Sequence, residues 1–380
     1  MANYTSLGKL ISPAPIIRCG DESYPVLSMT MRDGIVLQSE RFKKSIASKD
    51  QSEYKVVKRG QLVVGFPIDE GVLYIQKAID EGIMSPAYNV WDVDTTQIDP
   101  DYLELCLHSP QAMMYYASKL RGTTARRRSI PTAELLALPI FVPNMNDQKK
   151  AVALVQEANK LIALRKEQLA ALDQLVKSRF IELFGDEKYP KVALIDLIKE
   201  GAGLSYGIVQ PGDDGTGDMG VLRPVDMVAG KISTASIKYI DRSIGDGFKK
   251  TELAGDELLI TVRGSTGITA LTDSRFAGMN VTRGIAVVRY DRNKVNPVYL
   301  NAYLNSDESQ RYIKEHTRGA TLQQINLSDL RIQEIIMPPM ELQEQMAAFV
   351  EQTDKSKLAI QRSLDELETL KKALMQKYFG

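Results

Sequence analysis

A long stretch of this sequence occurs twice, and the repeat limits the possible folds more than any other feature does. Residues 142–185 and 337–380 align without a gap at an offset of 195, so that Phe184 corresponds to Phe379. The repeated unit is too long to be one element of a solenoid array. The chain therefore contains two copies of one module, each ending in a long helix. We expect a pseudo-twofold molecule that binds a target of approximately twofold symmetry.

The similarity continues upstream of the helices and then fades. The segment that begins at Tyr102 aligns with the one that begins at Tyr299, at an offset of 197. Closer to the start of each copy, residues 58–64 only loosely resemble residues 253–260. Copies that agree beside the helices and differ in their bodies indicate one shared frame with two different target-binding surfaces.

Both repeated segments predict long helices with an apolar seam. Neither Pro nor Gly occurs in residues 147–184 or 341–379, and at 1.5 Å per residue each helix would span roughly 55 Å. A narrow stripe with seven-residue spacing is typical of a coiled coil, although Arg165 and Arg179 interrupt it. The predicted seam consists of Val155, Ile162, Leu169, Leu172, Val176, Leu183, Val350, Ile360, Leu364, Leu367 and Leu374.

The two bodies predict an α+β fold class of mixed α/β domains. Short β-rich runs bounded by Gly, Asp and Asn occur at residues 61–66, 258–262 and 284–290. Helices are expected at about residues 100–108 and 297–305. The strands are irregularly spaced, so the sequence does not define a topology.

Composition excludes several functional classes. The 48 basic and 48 acidic residues give zero formal net charge, whereas a DNA-binding domain that acts alone usually has a basic excess. The two cysteines, Cys19 and Cys106, predict neither disulfides nor a cysteine-based zinc site, and they favour a reducing cytoplasm. No run of 18 apolar residues occurs, so no contact with a membrane is expected. His108 and His316 do not correspond, and no catalytic or metal-binding pattern accompanies them.

One motif suggests adenine methylation. Asn296-Pro-Val-Tyr299 resembles the Asn-Pro-Pro-Tyr motif with which adenine methyltransferases hold the target amino group. Its counterpart in the first copy is Asp99-Pro-Asp-Tyr102, and Asn or Asp followed by Pro is an ordinary helix start. No glycine-rich loop for S-adenosylmethionine is visible. We therefore predict helix N-caps at these two positions, with a self-sufficient methyltransferase as the disfavoured alternative.

Two aligned polar segments are the main candidates for DNA contact. The arginines of residues 121–128 suit phosphates and guanine edges, and the glutamines of residues 318–324 suit adenine edges. A solvated loop without a ligand is the alternative. Residues 263–267 lack the lysine of a Walker loop and predict an exposed strand end. The predicted DNA-binding residues are Tyr88, Arg121, Thr123, Thr124, Arg126, Arg127, Arg128, Tyr206, Arg223, Arg263, Ser265, Arg283, Arg318, Thr321, Gln323 and Gln324.

These features together resemble the DNA specificity subunits of Type I restriction-modification systems. The resemblance rests on the repeated order of Tyr-Leu, Arg-Gly-(Thr/Ala)-Thr, Pro, a glutamine that opens a long helix (Gln148 or Gln343), and Phe-Gly. Residues 255–265 and 319–327 are also similar to family sequences. The likeness covers nearly the whole chain, but residues 123–128 depart from the pattern of the second copy.

The resemblance implies a division of labour along the chain. Residues 1–145 and 187–339 would be target recognition domains, each recognising one half of a split sequence in double-stranded DNA. Residues 146–186 and 340–380 would be spacer helices packed as an antiparallel coiled coil.

The resemblance also implies partners. Two methyltransferase subunits and the restriction subunits would bind this chain and would carry S-adenosylmethionine, ATP and magnesium, so that the chain itself would be non-catalytic. A coiled-coil scaffold without a role in DNA binding remains the alternative, since the net charge is zero.

Overall fold

The computed structural model describes residues 4–31, 33–41, 50–120, 129–185, 189–212, 217–228, 230–320 and 322–379. These residues form a mixed α/β structure, as the sequence predicts. Their contacts divide the chain into two compact units. The first unit is Met1–Lys166 with Arg362–Gly380, and the second is Glu167–Gln361. Each unit therefore combines one body with segments of both long helices.

The first body is built from short strands and helices. Its strands are β1 (Tyr4–Ser6), β2 (Ile11–Pro13), β3 (Leu27–Met29), β4 (Ile35–Leu37), β5 (Lys55–Lys58), β6 (Leu62–Val64), β7 (Leu73–Ile75), β8 (Glu81–Met84), β9 (Asn89–Val93) and β10 (Pro139–Phe141). Its helices are α1 (Gln38–Arg41), α2 (Pro100–Leu107), α3 (Pro110–Lys119) and α4 (Thr132–Leu136), followed by the long helix α5 (Met145–Phe184).

The second body repeats this plan with different detail. Its strands are β11 (Lys191–Ala193), β12 (Ser205–Tyr206), β13 (Met219–Leu222), β14 (Met227–Val228), β15 (Lys231–Ile232), β16 (Lys238–Ile240), β17 (Leu258–Thr261), β18 (Thr269–Leu271), β19 (Asn280–Val281), β20 (Ile285–Val288) and β21 (Glu334–Ile336). Its helices are α6 (Arg242–Gly245), α7 (Pro297–Leu304), α8 (Asp307–His316) and α9 (Leu327–Arg331), followed by the long helix α10 (Met340–Phe379).

Each body is centred on a four-stranded antiparallel sheet, in the order β2-β9-β6-β7 in the first and β12-β20-β17-β18 in the second. Leu62 of β6 pairs with Trp91 and Ile75, and Leu258 of β17 pairs with Val288 and Leu271. The equivalent strands β6 and β17 lie in the stretches whose sequences only loosely resemble each other. The central strands thus keep their topology although their sequences have diverged.

A two-stranded antiparallel ladder joins the start of each body to its end. Strand β1 pairs with β10 in the first unit, and β11 pairs with β21 in the second. Each ladder lies shortly before a long helix, since β10 ends four residues before α5 begins and β21 ends four residues before α10 begins. The ladders therefore fix both ends of a body next to its helix.

The predicted helix N-caps are confirmed. The Asp99 carboxylate accepts hydrogen bonds from the backbone N–H groups of Asp101 and Tyr102, and the Asn296 side chain accepts them from Val298 and Tyr299. An N-cap side chain satisfies N–H groups that the helix itself leaves without a partner. In this structure, the side chain of Asn296 is thus engaged by its own helix.

A buried glutamine at the start of each long helix connects that helix to the capped helix of the body. Gln148 is fully buried; its Oε1 accepts a hydrogen bond from the backbone N–H of Asp99 at 2.8 Å. Gln343 does the same for Asn296 at 2.9 Å. Buried amides are retained in a core when such bonds satisfy them. The two glutamines therefore set the position of each helix start against its body.

The end of each long helix packs in the core of the unit that contains the other repeat's body. Phe379 at the end of α10 lies 5.0 Å from the ring of Tyr102 in the first unit. Phe184 at the end of α5 lies 5.2 Å from the ring of Tyr299 in the second unit. Both phenylalanines are buried within the main hydrophobic clusters of these units. Each core is therefore completed by residues from both copies of the repeat.

The predicted seam residues are buried or half-buried in the structure. Val155 is fully buried and Leu364 nearly so, whereas Leu175 and Leu370, which lie outside the seam, are 48% and 50% exposed. In the second unit the two helix segments run antiparallel, because Lys357 meets Asp173 at 2.6 Å and Arg179 lies over the ring of Phe349. No helix among the described residues has the length and apolar character needed to cross a membrane.

Substitution of Phe184 by Ala should lower the free energy of unfolding by about 3–5 kcal/mol, because it removes a buried ring and leaves a cavity. Urea denaturation of the full chain measures this change. Leu175→Ala in the same helix is the matched control, since its side chain is half exposed, and its effect should stay within about 0.5 kcal/mol. Equal effects of the two substitutions would contradict the assignment of Phe184 to the core.

Candidate nucleic-acid interface

In the second unit, backbone hydrogen bonds bring four separate stretches of chain together at the end of β17. The N–H of Val262 donates to the carbonyl of Gly284 at 2.7 Å, and the N–H of Gly264 donates to the carbonyl of Gln323 at 2.9 Å. The N–H of Arg283 donates to the carbonyl of Ile208 at 2.9 Å. These bonds assemble what we call the 263 cluster, which consists of Tyr206, Arg263, Ser265, Arg283, Arg318, Gln323 and Gln324.

Two arginines of the 263 cluster have no acidic partner among the described residues. The guanidinium of Arg263 lies over the ring of Tyr206, 5.8 Å from its centroid. Arg283 is exposed one residue before Gly284, whose carbonyl also accepts from the N–H of Arg263 at 3.3 Å. Within the described ranges, no carboxylate lies at ion-pair distance from either guanidinium. The described residues therefore leave the positive charge of these two side chains without neutralisation.

The loop that carries the glutamines is held in a tight reversal. Arg318 and Gln324 exchange two backbone hydrogen bonds of 2.8 Å. Gly319 between them has φ +96°, and a Cβ atom there would lie 2.3 Å from the carbonyl oxygen of Leu322. Only glycine fits such a position. As a result Gln323 is exposed and Gln324 half-buried at the surface of the cluster.

Hydroxyl groups support the turn after Arg263. The hydroxyls of Thr266 and Thr317 are 3.0 Å apart, and the hydroxyl of Thr261 donates to the carbonyl of Ser265 at 2.5 Å. Ser265 itself is exposed. The sequence did not indicate Thr317, because a threonine near a helix end has no distinguishing pattern. Its contact with Thr266 arises from the fold.

Arg223 differs from the other candidates because its side chain is held inside the second unit. Its guanidinium bonds both carboxylate oxygens of Asp226 at 3.1 Å, and its backbone N–H donates to the same carboxylate at 2.8 Å. Asp226 is fully buried. The spacing of three residues between Arg223 and Asp226 was the available sequence signal for this pair. Arg318 also has an acid nearby, Asp329 at 3.8 Å, but its side chain remains 69% exposed.

The hairpin loop of the first unit that is equivalent to residues 262–267 has the opposite charge. The N–H of Gly65 donates to the carbonyl of Val72 at 2.8 Å, as that of Thr261 donates to Ile268 in the second unit. The loop between these residues contains Asp69 and Glu70, where the second unit has Ser265 and Thr266. The equivalent hairpin loops of the two units therefore differ in the charge of their side chains.

The remaining candidates of the first unit are only partly described. Tyr88 is half-buried, its ring is 6.4 Å from that of Phe66, and its carbonyl accepts from the Lys55 amine at 2.6 Å. Burial raises the pKa of the Tyr88 hydroxyl above its ordinary value. Arg121, Thr123, Thr124, Arg126, Arg127 and Arg128, and Thr321 of the second unit, lie outside the described residues.

The histidines and Cys106 have structural surroundings. His108 makes ring-nitrogen contacts with the carbonyls of Glu104 and Gly71 at 2.8 and 2.9 Å, and His316 contacts the carbonyl of Tyr312 at 2.8 Å. Burial raises the pKa of the Cys106 thiol to about 12, which keeps it protonated at neutral pH. In the described part of the chain, no three His, Cys, Asp or Glu residues gather where they could hold a metal ion.

Comparisons with known proteins agree with this arrangement. Residues 219–369, which include most of the 263 cluster, match the family model described as Type I restriction modification DNA specificity domain. Residues 219–369 are therefore similar to a Type I DNA specificity domain. The predicted resemblance to specificity subunits is thereby confirmed.

A curated relative and two solved structures extend the likeness. The specificity subunit of the Type I restriction enzyme EcoBI from Escherichia coli is 23% identical over 197 residues, which cover 51% of this chain and 41% of that protein. The match thus spans less than half of the relative's length. The prediction of a non-catalytic specificity subunit agrees with this relative, which is named as a specificity subunit.

The solved structures support the fold. A chain from a study of assembly and conformational transition of the type I R-M system has a TM-score of 0.61 and 18% identity, with 99% of this chain and 97% of that chain covered. The Type-I restriction-modification system S subunit from M. genitalium has a TM-score of 0.52 and 14% identity, with 100% and 96% covered. At these identities the similarity concerns the fold alone.

Substitution of Arg223 by Ala should lower the free energy of unfolding by roughly 3–5 kcal/mol, because it leaves the buried Asp226 carboxylate without its cation. Thermal or urea unfolding of the full chain measures the change. Arg283→Ala is the control, since that side chain is exposed and has no acidic partner among the described residues. If the Arg223 variant kept the stability of the parent, the side chain would be free for another role.

Proposed function

We propose that this chain is the DNA specificity subunit of a Type I restriction-modification complex. Each body would recognise one half of a bipartite target, and the two long helices would form the coiled-coil spacer between them. The observation that carries the proposal is the 263 cluster, in which arginine, amide and hydroxyl side chains lie on a rigid loop assembly inside the matched specificity domain. Those groups are the ones with which proteins contact phosphates and base edges.

The duplicated frame supports a bipartite target. The two bodies share the order of their central strands, their capped helices and their buried glutamines. They differ in the loops, since the hairpin after β6 is acidic and the equivalent one after β17 contains Arg263. Equal frames with unequal loops suit two recognition domains that act in the same way on different half-sites.

Partner subunits would supply the chemistry and part of the affinity. We propose double-stranded DNA, two methyltransferase subunits and restriction subunits as partners, with S-adenosylmethionine, ATP and magnesium bound by those subunits. This chain would provide the sequence specificity of a cytoplasmic defence against phage DNA. Its zero net charge fits a subunit that relies on partners for much of the phosphate neutralisation.

The geometry weighs against methylation by this chain alone. In a methyltransferase, the Asn of the Asn-Pro-Pro-Tyr motif holds the target amino group, whereas the Asn296 side chain here caps its own helix through Val298 and Tyr299. A coiled-coil scaffold without DNA binding remains the second candidate. The apolar seam of the long helices is equally compatible with a scaffold and with the spacer of a specificity subunit. The first experiment therefore has to distinguish these two functions.

Co-expression of this chain with its methyltransferase subunit, followed by single-molecule sequencing of host DNA, should reveal methylated adenine in a bipartite motif with a fixed gap. The same cells without this chain provide the control. A stable complex that leaves the DNA without new methylation would refute the recognition role and support the scaffold.

Insertion of seven residues into each long helix, at facing positions within the seam, should lengthen the gap of the recognised motif by about three base pairs. Each insertion adds about 10.5 Å of helix while the heptad register is kept. Both half-sites should stay unchanged, as methylation sequencing would show. Insertion of four residues is the control, since it breaks the register. A changed half-site with an unchanged gap would contradict the spacer.

A further inference from the structure

We propose that Arg263 recognises a guanine in the half-site bound by the second unit, and that Tyr206 is its positioning residue. This inference rests on the proposed DNA-binding function and assigns one residue to one base. Three features support it: the backbone at Arg263 is fixed on both sides, its side chain lies over an aromatic ring, and its charge is not neutralised by the described residues.

The backbone around Arg263 is bonded to two neighbouring segments. On one side Val262 donates to the carbonyl of Gly284, and on the other the N–H of Ile325 donates to the carbonyl of Val262 at 3.0 Å. Gly264 is bonded to the glutamine loop as described above. When an arginine on such a segment binds, its backbone is already ordered, so only the side chain has to be immobilised. Rigid placement matters for contact with a base edge, whereas a mobile side chain is sufficient for a phosphate.

The Arg263 guanidinium lies 5.8 Å from the centroid of the Tyr206 ring, and among the described residues its N–H groups have no hydrogen-bond acceptor or ion-pair partner. Its planar array of N–H donors is therefore available for a ligand. Two parallel N–H donors match the N7 and O6 acceptors of guanine in the major groove, which is the commonest specific contact of arginine with DNA. The chemistry therefore selects guanine among the four bases.

Arg275 is a natural comparison within the same unit. Its guanidinium also lies over an aromatic ring, that of Phe276 at 5.6 Å. Its Nε and one terminal nitrogen, however, bond the carboxylate of Asp273 at 2.9 and 2.7 Å. The edge that would face a base is thus occupied. Arg275 shares the aromatic contact of Arg263, but the paired donors on one edge of its guanidinium are bonded to Asp273, so it serves as a matched control.

At the position equivalent to Arg263, the first unit has a proline. The matching bonds of Gly65 to Val72 and of Thr261 to Ile268 place Pro67 at the position of Arg263. Proline offers neither a side-chain donor nor a backbone N–H. Guanine recognition by an arginine at this position is therefore confined to the half-site of the second unit. The half-site of the first unit is an internal control.

The test uses the full chain in complex with its methyltransferase subunit. The parent complex first defines the motif by methylation sequencing. Binding of the parent, Arg263→Ala and Arg275→Ala complexes is then measured on duplexes in which each G·C pair of the motif is replaced in turn. Arg263→Ala should reduce the discrimination at one G·C pair of one half-site by about 10- to 100-fold and leave all other positions unchanged. Arg275→Ala should behave as the parent does.

The positioning role of Tyr206 is tested by the same measurement of discrimination at the G·C pair. Tyr206→Phe retains the ring and should keep the discrimination, whereas Tyr206→Leu should weaken it at the same G·C pair as Arg263→Ala. Arg283→Ala should weaken binding to all sequences alike and lower the salt slope by about one, as loss of a phosphate contact does.

Three results would overturn the inference while leaving the proposed function intact. The first is that the Arg263→Ala complex discriminates between bases at every position of both half-sites as the parent complex does. Another is uniform weakening by Arg263→Ala, which would make Arg263 a phosphate contact. The third is a motif in which the half-site of the second unit contains only A·T pairs. If the parent complex gives no motif at all, the proposed function itself fails. Melting curves of each variant exclude loss of folding as the cause.

Discussion

The structure of each unit depends on one contact, between a tyrosine of the body and the phenylalanine at the end of a long helix. Phe379 packs on Tyr102 in the first unit, and Phe184 packs on Tyr299 in the second. Burial of such a ring contributes about 1.5–3 kcal/mol. Because each ring comes from the other copy of the repeat, neither core is complete with one copy alone. Both copies of the repeat therefore contribute side chains to each core.

The frame could be predicted from the sequence because its signals are local. Helix length follows from the absence of Pro and Gly, and the caps at Asp99 and Asn296 follow from the residues before a proline. The 263 cluster could be predicted only as separate residues. Tyr206 and Arg263 are far apart in the chain and meet through sheet pairing of β12, β20 and β17. For Arg223 the sequence predicted DNA contact, but in the structure its side chain is bonded to the buried carboxylate of Asp226.

The two hairpins show how the bodies can diverge without loss of the frame. The hairpins after β6 and β17 are closed by equivalent backbone bonds, which do not depend on the side chains between them. Glycines with positive φ, Gly71 and Gly267, terminate both loops. Acidic residues in one loop and Arg263 in the other are therefore compatible with one backbone. Recognition surfaces can change while strand order, caps and helix contacts stay the same.

Charge is distributed so that a neutral protein can still present a basic surface. Exposed arginines such as Arg18 and Arg59 lie beside carboxylates, at 2.5 and 2.8 Å. Such surface pairs add little stability, but they cancel the long-range field that would attract DNA of any sequence. Arg263 and Arg283 lack this cancellation among the described residues, so under the proposed function the attraction would be concentrated at the surface that contacts base edges. Weak non-specific binding increases the share of the binding energy that depends on sequence. Zero net charge is in this sense compatible with the proposed recognition function.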